Sequence, residues 1–122
     1  MSNVDLLRKI YTDFEVMLAN LHPDFTLYSP GRSPVAGEFQ GRDGFVEHIS
    51  QMRELSNNSM DLNAHTFLAN EDWGIGISHI AGERNGKKMD LEGFGVWRFQ
   101  DGKLIEHWEF QSNPAQWDDF WS

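Results

Sequence analysis

Two dipeptides in the second half of the chain constrain its fold more than any other feature: Asn85 with Gly86, and Asp101 with Gly102. Asn-Gly and Asp-Gly are the pairs favoured in two-residue β-hairpin turns, because both central positions of such a turn have positive φ. Each pair separates runs that read as strands, and the segment "ANED" supplies a third turn. The sequence therefore predicts an antiparallel meander of four strands, over 60–68, 73–84, 87–99 and 103–110.

Helical periodicity dominates the first half of the chain. Apolar residues recur at three- and four-residue spacing from Leu6 to Leu21, which predicts one helix. Ser2 or Asn3 is expected to cap this helix, and Pro23 to end it. The next segments are predicted as a short strand, a loop and a second helix, over 25–29, 30–41 and 42–55. Helices followed by a meander indicate an α+β fold, with the N-terminal helices packed on a curved antiparallel sheet.

Length and composition narrow the classes of function. The 122 residues fit a single domain, 1–122. A net charge of -9 opposes binding to nucleic acid and to anionic membranes, which requires clustered Lys and Arg. The chain has no cysteine, no apolar run near the roughly 18 residues of a membrane span, and no recognisable secretory signal. We therefore expect a cytoplasmic protein with no nucleic-acid or membrane partner.

The hairpin turns also predict which side chains share a face of the sheet, because a two-residue turn sets the register. Four strand glycines, Gly74, Gly76, Gly93 and Gly95, fall on one face. The other residues predicted on that face are Asn63, His65, Phe67, Ser78, Trp97, Glu106 and Trp108. A glycine patch walled by aromatic side chains predicts the floor of a pocket. The alternative is that the glycines admit a closely packed helix or a sharp coil of the sheet.

The opposite face of the predicted sheet is too apolar to be fully exposed, which predicts a homodimer interface. The residues assigned to it are Ile75, Ile77, His79, Glu92, Phe94, Val96, His107 and Glu109. Four of these are of metal-ligating type, but they lie among apolar neighbours and no HExxH-like motif is present. We predict a polar network at the interface, and no metal or other cofactor.

Two stretches carry a family resemblance: "HPDFTLYSPGRSPVAGEFQGRDGFVEHI" and "DLEGFGVWRFQDGKLIEHWEF". In order and spacing the chain resembles the SnoaL-like polyketide cyclases, within the nuclear transport factor 2-like superfamily that includes ketosteroid isomerase. The resemblance implies a cone-shaped α+β barrel around a deep apolar pocket, usually in dimers. Ser29 and Gly95 stand where the isomerase-like relatives have their two catalytic carboxyl groups, whereas Tyr11 matches a tyrosine that donates to the oxyanion.

Three residues are candidates for catalysis. His65, on the predicted pocket face, is of the type that transfers protons near neutral pH, or it is a hydrogen-bonded edge residue. Tyr11 would hold or donate a proton. Glu106 would become a usable acid if burial raised its pKa, although a structural carboxylate bonded to an indole N–H is slightly favoured. Residues expected to contact a ligand are His48, Ser29, Asn63, Phe67, Gly76, Ser78, Gly93, Gly95, Trp97 and Trp108.

Three functions remain open from the sequence. The first is an enzyme that isomerises, cyclises or hydrates a small hydrophobic oxygenated molecule, of polyketide, steroid or terpenoid type. The second is a module that binds such a molecule without turnover, which the loss of both isomerase carboxyl groups favours. The third is a structural homodimer whose pocket is filled by Trp97 and Trp108. Fold alone does not choose among them.

Overall fold

The computed structural model describes all 122 residues. In chain order the elements are α1 (Asn3–Ile10), α2 (Phe14–Ala19), β1 (Leu21–Ser29), β2 (Gly37–Gln40), α3 (Gly41–Leu55), β3 (Asp61–Ala69), β4 (Trp73–Arg84), β5 (Lys87–Gln100), β6 (Lys103–Gln111) and α4 (Pro114–Trp121). The strands form one curved sheet in the order β2-β1-β6-β5-β4-β3, in which only β1 and β6 are parallel. None of the helices is long and apolar enough to cross a membrane. The predicted α+β fold is confirmed.

The helices cover one face of the sheet, called here the inner face, and leave the outer face uncovered. Leu7 of α1 lies over Gly74, and Phe120 of α4 lies over Gly82. Two clusters of buried side chains fill the space beneath the helices. The first joins α1 to the middle of the sheet through residues such as Phe25 and Trp97, and the second surrounds α4.

Both two-residue turns form as the sequence predicts. Asn85 and Gly86 have φ of 51° and 79°, and Asp101 and Gly102 have φ of 53° and 73°. Positive φ at both positions is the geometry that these residue pairs tolerate. Strands β4 and β5 pair without interruption, which places Gly76 opposite Gly95 as predicted.

The predicted first helix is wrong in extent, because it is two helices. Helix α1 ends at Ile10, and Asp13 begins the next helix by accepting hydrogen bonds from the backbone N–H groups of Glu15 and Val16. An aspartate side chain favours such a cap over a position inside a helix. Ser2 caps α1, as predicted. The break leaves Tyr11 at the end of α1, above the centre of the sheet.

The first strand is longer than predicted, and a second strand lies in the predicted loop. Strand β1 begins at Leu21 and includes Pro23, where its pairing with β6 is interrupted and the missing N–H is tolerated. Within the segment expected to be loop, β2 pairs antiparallel with β1, with Phe39 opposite Leu27. The short β2 forms one edge of the sheet.

A β-bulge in β6 overturns part of the predicted face assignment. The register of β5 with β6 shifts after Phe99, so that Ile105 has no partner and Trp97 lies opposite His107 instead of Glu106. One extra residue moves every later side chain of the strand to the other face. Glu106 and Trp108 were expected on the inner face and are instead on the outer face. The inner face receives His107 and Glu109, which were expected outside.

A second bulge, at His65 in β3, has the same effect. Phe67 lies opposite Gly76 as predicted, but beyond the bulge Ala64 lies opposite Ser78 and Asn63 opposite His79. Asn63 therefore lies on the outer face, and so does His65, which bonds an outer-face carboxylate (below). The predictions that these two side chains face the pocket are wrong, because the bulge reverses the alternation of β3.

Candidate functional site

A cavity of about 440 Å³ lies between the inner face of the sheet and the helices. Fourteen of its 25 lining residues are hydrophobic, and the volume is within the range of about 300–1,000 Å³ typical of small-molecule sites. The apolar wall includes Met17 of α2, Phe45 and Ile49 of α3, and Trp97 of β5. The cavity can therefore bury a largely apolar molecule of modest size.

Tyr11 explains two of the strand glycines. A Cβ atom on Gly76 would lie 2.6 Å from the Tyr11 ring, and one on Gly95 would collide with the Tyr11 hydroxyl. The ring rests on the sheet because neither strand has a side chain there. Gly76 and Gly95 are therefore covered by a closely packed side chain, which is the alternative that the sequence left open. Tyr11 itself forms part of the cavity wall.

The other two glycines are also covered by side chains. A Cβ atom on Gly74 would lie 2.9 Å from the ring of Phe99, and one on Gly93 would lie 2.5 Å from Cδ1 of Ile80. These glycines permit close approach of side chains to the backbone of the sheet. The cavity lies beside and above these side chains rather than directly on bare glycine.

The hydroxyl of Tyr11 is placed to donate a hydrogen bond. It accepts one from Nε1 of Trp97 at 3.0 Å and donates to no protein acceptor. Burial raises the pKa of Tyr11, and the nearby Glu109 carboxylate raises it further, while the bond from Trp97 acts in the opposite direction. The phenol therefore keeps its proton at all ordinary pH values.

Glu109 is the centre of a buried polar cluster at the sheet end of the cavity. Nε2 of His48 donates to its Oε1 at 2.6 Å, and Nε2 of His107 lies 3.7 Å from its Oε2. Burial by itself would raise the pKa of Glu109, but the charges of His48 and His107 and the hydrogen bond from His48 outweigh it and lower the pKa to about 2. Glu109 is thus ionised, and 19% of its side chain is exposed.

The two histidines of this cluster are held differently. The ring of His107 stacks on Trp97 with centroids 3.6 Å apart, and its Nδ1 lies 3.0 Å from the Val96 carbonyl oxygen. Because a carbonyl only accepts, Nδ1 carries the proton and Nε2 is the atom that can exchange one. His48 is fully buried behind Glu109, and its Nδ1 has no partner.

The predicted site residues divide into three groups by position. Those that line the cavity are Tyr11, Ser78, Gly93, Gly95 and Trp97. Those on the inner side that do not line it are His48, Ser29, Phe67 and Gly76. Those on the outer face are His65, Asn63, Glu106 and Trp108. Of the three catalytic candidates, only Tyr11 lies at the cavity.

The outer-face candidates make ordinary surface interactions. His65 contacts a carboxylate oxygen of Glu92 at 2.9 Å. Glu106 bonds Arg98 at 2.5 Å and accepts from the Tyr28 hydroxyl at 3.0 Å. Trp108 stacks on the Tyr28 ring, with centroids 5.1 Å apart, so it does not fill the cavity.

Sequence reasoning missed His107 and Glu109, although one signal for them was present. Leu104 and Ile105 are consecutive apolar residues, and both are buried. Two adjacent buried residues in a strand break the alternation of faces, which is what a bulge does. The supposed cluster of four metal-type residues on one face is consequently split, with His79 and Glu92 outside and the other two inside.

Comparisons with known proteins agree with this fold. A sequence model of the SnoaL-like domain matches residues 11–107. An uncharacterised protein of Mycobacterium tuberculosis is 24% identical over 127 residues, covering 99% of this chain and 97% of the relative. Among solved structures, Bal32a from a soil-derived mobile gene cassette has a TM-score of 0.90 and 25% identity, covering 98% of this chain and 96% of that one.

Two further structures are similar in fold at lower identity. An NTF2-like protein of Burkholderia pseudomallei has a TM-score of 0.84 and 21% identity, covering 100% of this chain and 99% of that one. TerC, co-crystallised with polyporic acid, has a TM-score of 0.81 and 19% identity, covering 97% of this chain and 96% of that one.

Proposed function

Because the chain belongs to the SnoaL-like domain family, we propose that its cavity binds a small hydrophobic molecule that carries oxygen, of polyketide, steroid or terpenoid type. One observation carries the proposal: an apolar cavity ends in a polar cluster formed by Tyr11, Glu109 and His107. Tyr11 has a proton to donate and Glu109 has a charge that accepts, so a ligand carbonyl and a ligand hydroxyl would each find a partner. TerC, a protein of similar fold, was co-crystallised with a small molecule, polyporic acid.

The same cluster supports acid–base chemistry without a cofactor. In the catalytic form of the proposal, Tyr11 donates to a carbonyl oxygen on which negative charge develops. Nε2 of His107 takes or gives the proton, and Glu109 stabilises the imidazolium that results. Isomerisation, cyclisation and hydration are the reaction types that need these parts.

One observation favours binding without turnover. A carboxylate whose pKa is about 2 is a weak base, so Glu109 suits fixed recognition of a ligand better than proton abstraction. Ser29 and Gly95 leave the two isomerase-like carboxyl positions empty. If turnover occurs, the proton must therefore move through His107.

A panel of steroids, aromatic polyketides and terpenoids tests the proposal through the thermal unfolding of the protein. A ligand at a hundred times its dissociation constant should add about 2.7 kcal/mol of stability. The stabilisation should fall in Glu109→Gln and in Tyr11→Phe. It should persist in Glu106→Gln, the matched control that removes a carboxylate from the outer face. No stabilisation by any class would refute the proposal.

We also propose that the outer face of the sheet is the interface of a homodimer. Leu68 and Trp73 are large apolar side chains that are 61% and 47% exposed on this face. Ile75 and Ile77 of β4 and Phe94 of β5 add half-buried apolar side chains to the same face. An exposed apolar surface of this kind is typical of a protein interface.

A further inference from the structure

Arg53 is the only one of the ten Lys and Arg side chains that lines the cavity. It lies in the last turn of α3 and is exposed. Its guanidinium group has no carboxylate within 4.0 Å and donates no hydrogen bond to the protein. By contrast, Arg84 bonds backbone carbonyls and Arg98 bonds Glu106.

Arg53 stands at the mouth of the cavity. Most of the exposed lining residues mark this mouth, and they come from the α1–α2 connection, from the segment between α3 and β3 and from the start of β3. They include Thr12, Asp13, Asn58 and Leu62. A positive group here meets a ligand where the ligand leaves the apolar interior and reaches water.

Asp13 is the one carboxylate that lines the cavity at its mouth, and it is already hydrogen-bonded. Asp13 accepts hydrogen bonds from the backbone N–H groups of Glu15 and Val16 at the start of α2, where the helix favours a negative charge. Arg53 has no such partner. Arg53 is therefore the charged group at the mouth that is free to pair with a ligand.

The inner end of the cavity differs from the mouth, because its carboxylate is already paired. Oε1 of Glu109 accepts from His48 and its Oε2 lies 3.7 Å from Nε2 of His107, so this end offers an acceptor that suits a ligand hydroxyl. A ligand with one anionic group would consequently bind in one direction, with that group at Arg53. Its apolar body would lie in the cavity against apolar side chains such as those of Phe45 and Met52.

We infer that the ligand of the proposed function is an organic acid whose carboxylate binds Arg53 at the cavity mouth and whose neutral oxygenated end lies against Tyr11 and Glu109. This inference rests on the proposed function and adds to it the charge of the ligand and its orientation.

The contribution of Arg53 to ligand affinity is limited because its side chain is exposed. An exposed ion pair contributes up to about 1 kcal/mol, which is about a fivefold change in affinity. The net charge of -9 opposes an anion at long range, but a screening length of about 8 Å at physiological salt removes most of that repulsion. We therefore expect an acid to bind about fivefold more tightly than its uncharged ester.

The test uses two pairs of probes: hydroxynaphthoate with its methyl ester, and hydroxybiphenylcarboxylate with its methyl ester. Dissociation constants are measured by titration calorimetry for the wild-type protein, Arg53→Gln, Arg53→Lys and Arg8→Gln. Arg8 is the matched control, because it is an exposed arginine of α1 that does not line the cavity. The melting temperature of each variant without ligand is also measured. It shows whether losing the positive charge in the last turn of α3 destabilises the protein itself.

The inference requires a clear preference for the acid in the wild-type protein and in Arg8→Gln. That preference should be retained in part by Arg53→Lys and lost in Arg53→Gln, and it should weaken as salt is added. Equal binding of acid and ester, or a preference that survives Arg53→Gln, would overturn the inference and leave the proposed function standing. Failure of every acid and ester to bind would count against the proposed function and take the inference with it.

Discussion

The charge of Glu109 offers the sharpest test of the site, because its contribution to stability has a calculable pH dependence. The carboxyl group has a pKa of about 2 in the folded protein, against an ordinary value of 4.5. At about 1.4 kcal/mol per pH unit, ionised Glu109 stabilises the folded state by about 3 kcal/mol at neutral pH. Glu109→Gln keeps an oxygen that accepts from His48 but removes the charge. We expect this variant to lose about 2–3 kcal/mol of unfolding free energy at pH 7.

The sign of the pH effect follows from the lowered pKa. The stabilisation is complete above the unfolded value of 4.5 and is lost as the pH falls from 4.5 towards 2, because the folded protein must then bind a proton. The wild-type protein should lose this part of its stability over that range, and Glu109→Gln should not. The two proteins should therefore become nearly equal in stability near pH 2.

Urea unfolding followed by tryptophan fluorescence, repeated at several pH values between 7 and 2, measures this difference directly. Glu47→Gln is the matched control, because Glu47 is an exposed carboxylate of α3 with no side-chain bond, and its loss should change stability little at any pH. The reasoning is refuted if Glu109→Gln is as stable as the wild type at pH 7, or if the difference between them does not shrink in acid.

Three other predictions concern packing and assembly. Gly95→Ala should lower the unfolding free energy by about 1–3 kcal/mol, because its Cβ collides with the Tyr11 hydroxyl, and unchanged stability in urea would contradict that contact. Tyr11→Phe should lower the unfolding free energy by about 1–3 kcal/mol, because it leaves the buried N–H of Trp97 without an acceptor. Gly95→Ala combined with Tyr11→Phe should lower it by less than the sum of the two single changes. Leu68→Glu with Trp73→Glu should give a monomer in analytical ultracentrifugation while the wild type is a dimer, and a wild-type monomer would refute the proposed interface.

The elements of this fold that depend on neighbouring residues in sequence could be predicted well. Asn85 and Gly86 specify a turn by their own backbone preferences, so the strands on both sides and their register follow without tertiary information. The same holds for Ser2 as a helix cap. Such turns and caps depend on a few adjacent residues, so they can be predicted without knowing the rest of the fold.

The residues of the candidate site could not be predicted as well, because two β-bulges decide which side chains face the cavity and the sequence pattern indicates bulges only weakly. Whether Ile105 is inserted as a bulge is decided by packing against other parts of the molecule, and a single inserted residue exchanged Glu106 for Glu109 at the cavity. The bulge at His65 removed the leading catalytic candidate in the same way. Tyr11 was identified because the family resemblance pointed to it, and its position over Gly76 and Gly95 was not predicted.

Tyr11 lies directly on the sheet over Gly76 and Gly95, and this position restricts which substitutions could give the chain an isomerase-like site. The resemblance to ketosteroid isomerase implies a carboxyl group at the position of Gly95, and Gly95→Asp is the substitution that would introduce one. In this protein the space belongs to the Tyr11 hydroxyl, and Glu109 lies directly opposite on β6. A carboxyl group at position 95 would displace the tyrosine and meet a second negative charge. A carboxyl group at position 95 therefore requires a smaller residue at position 11.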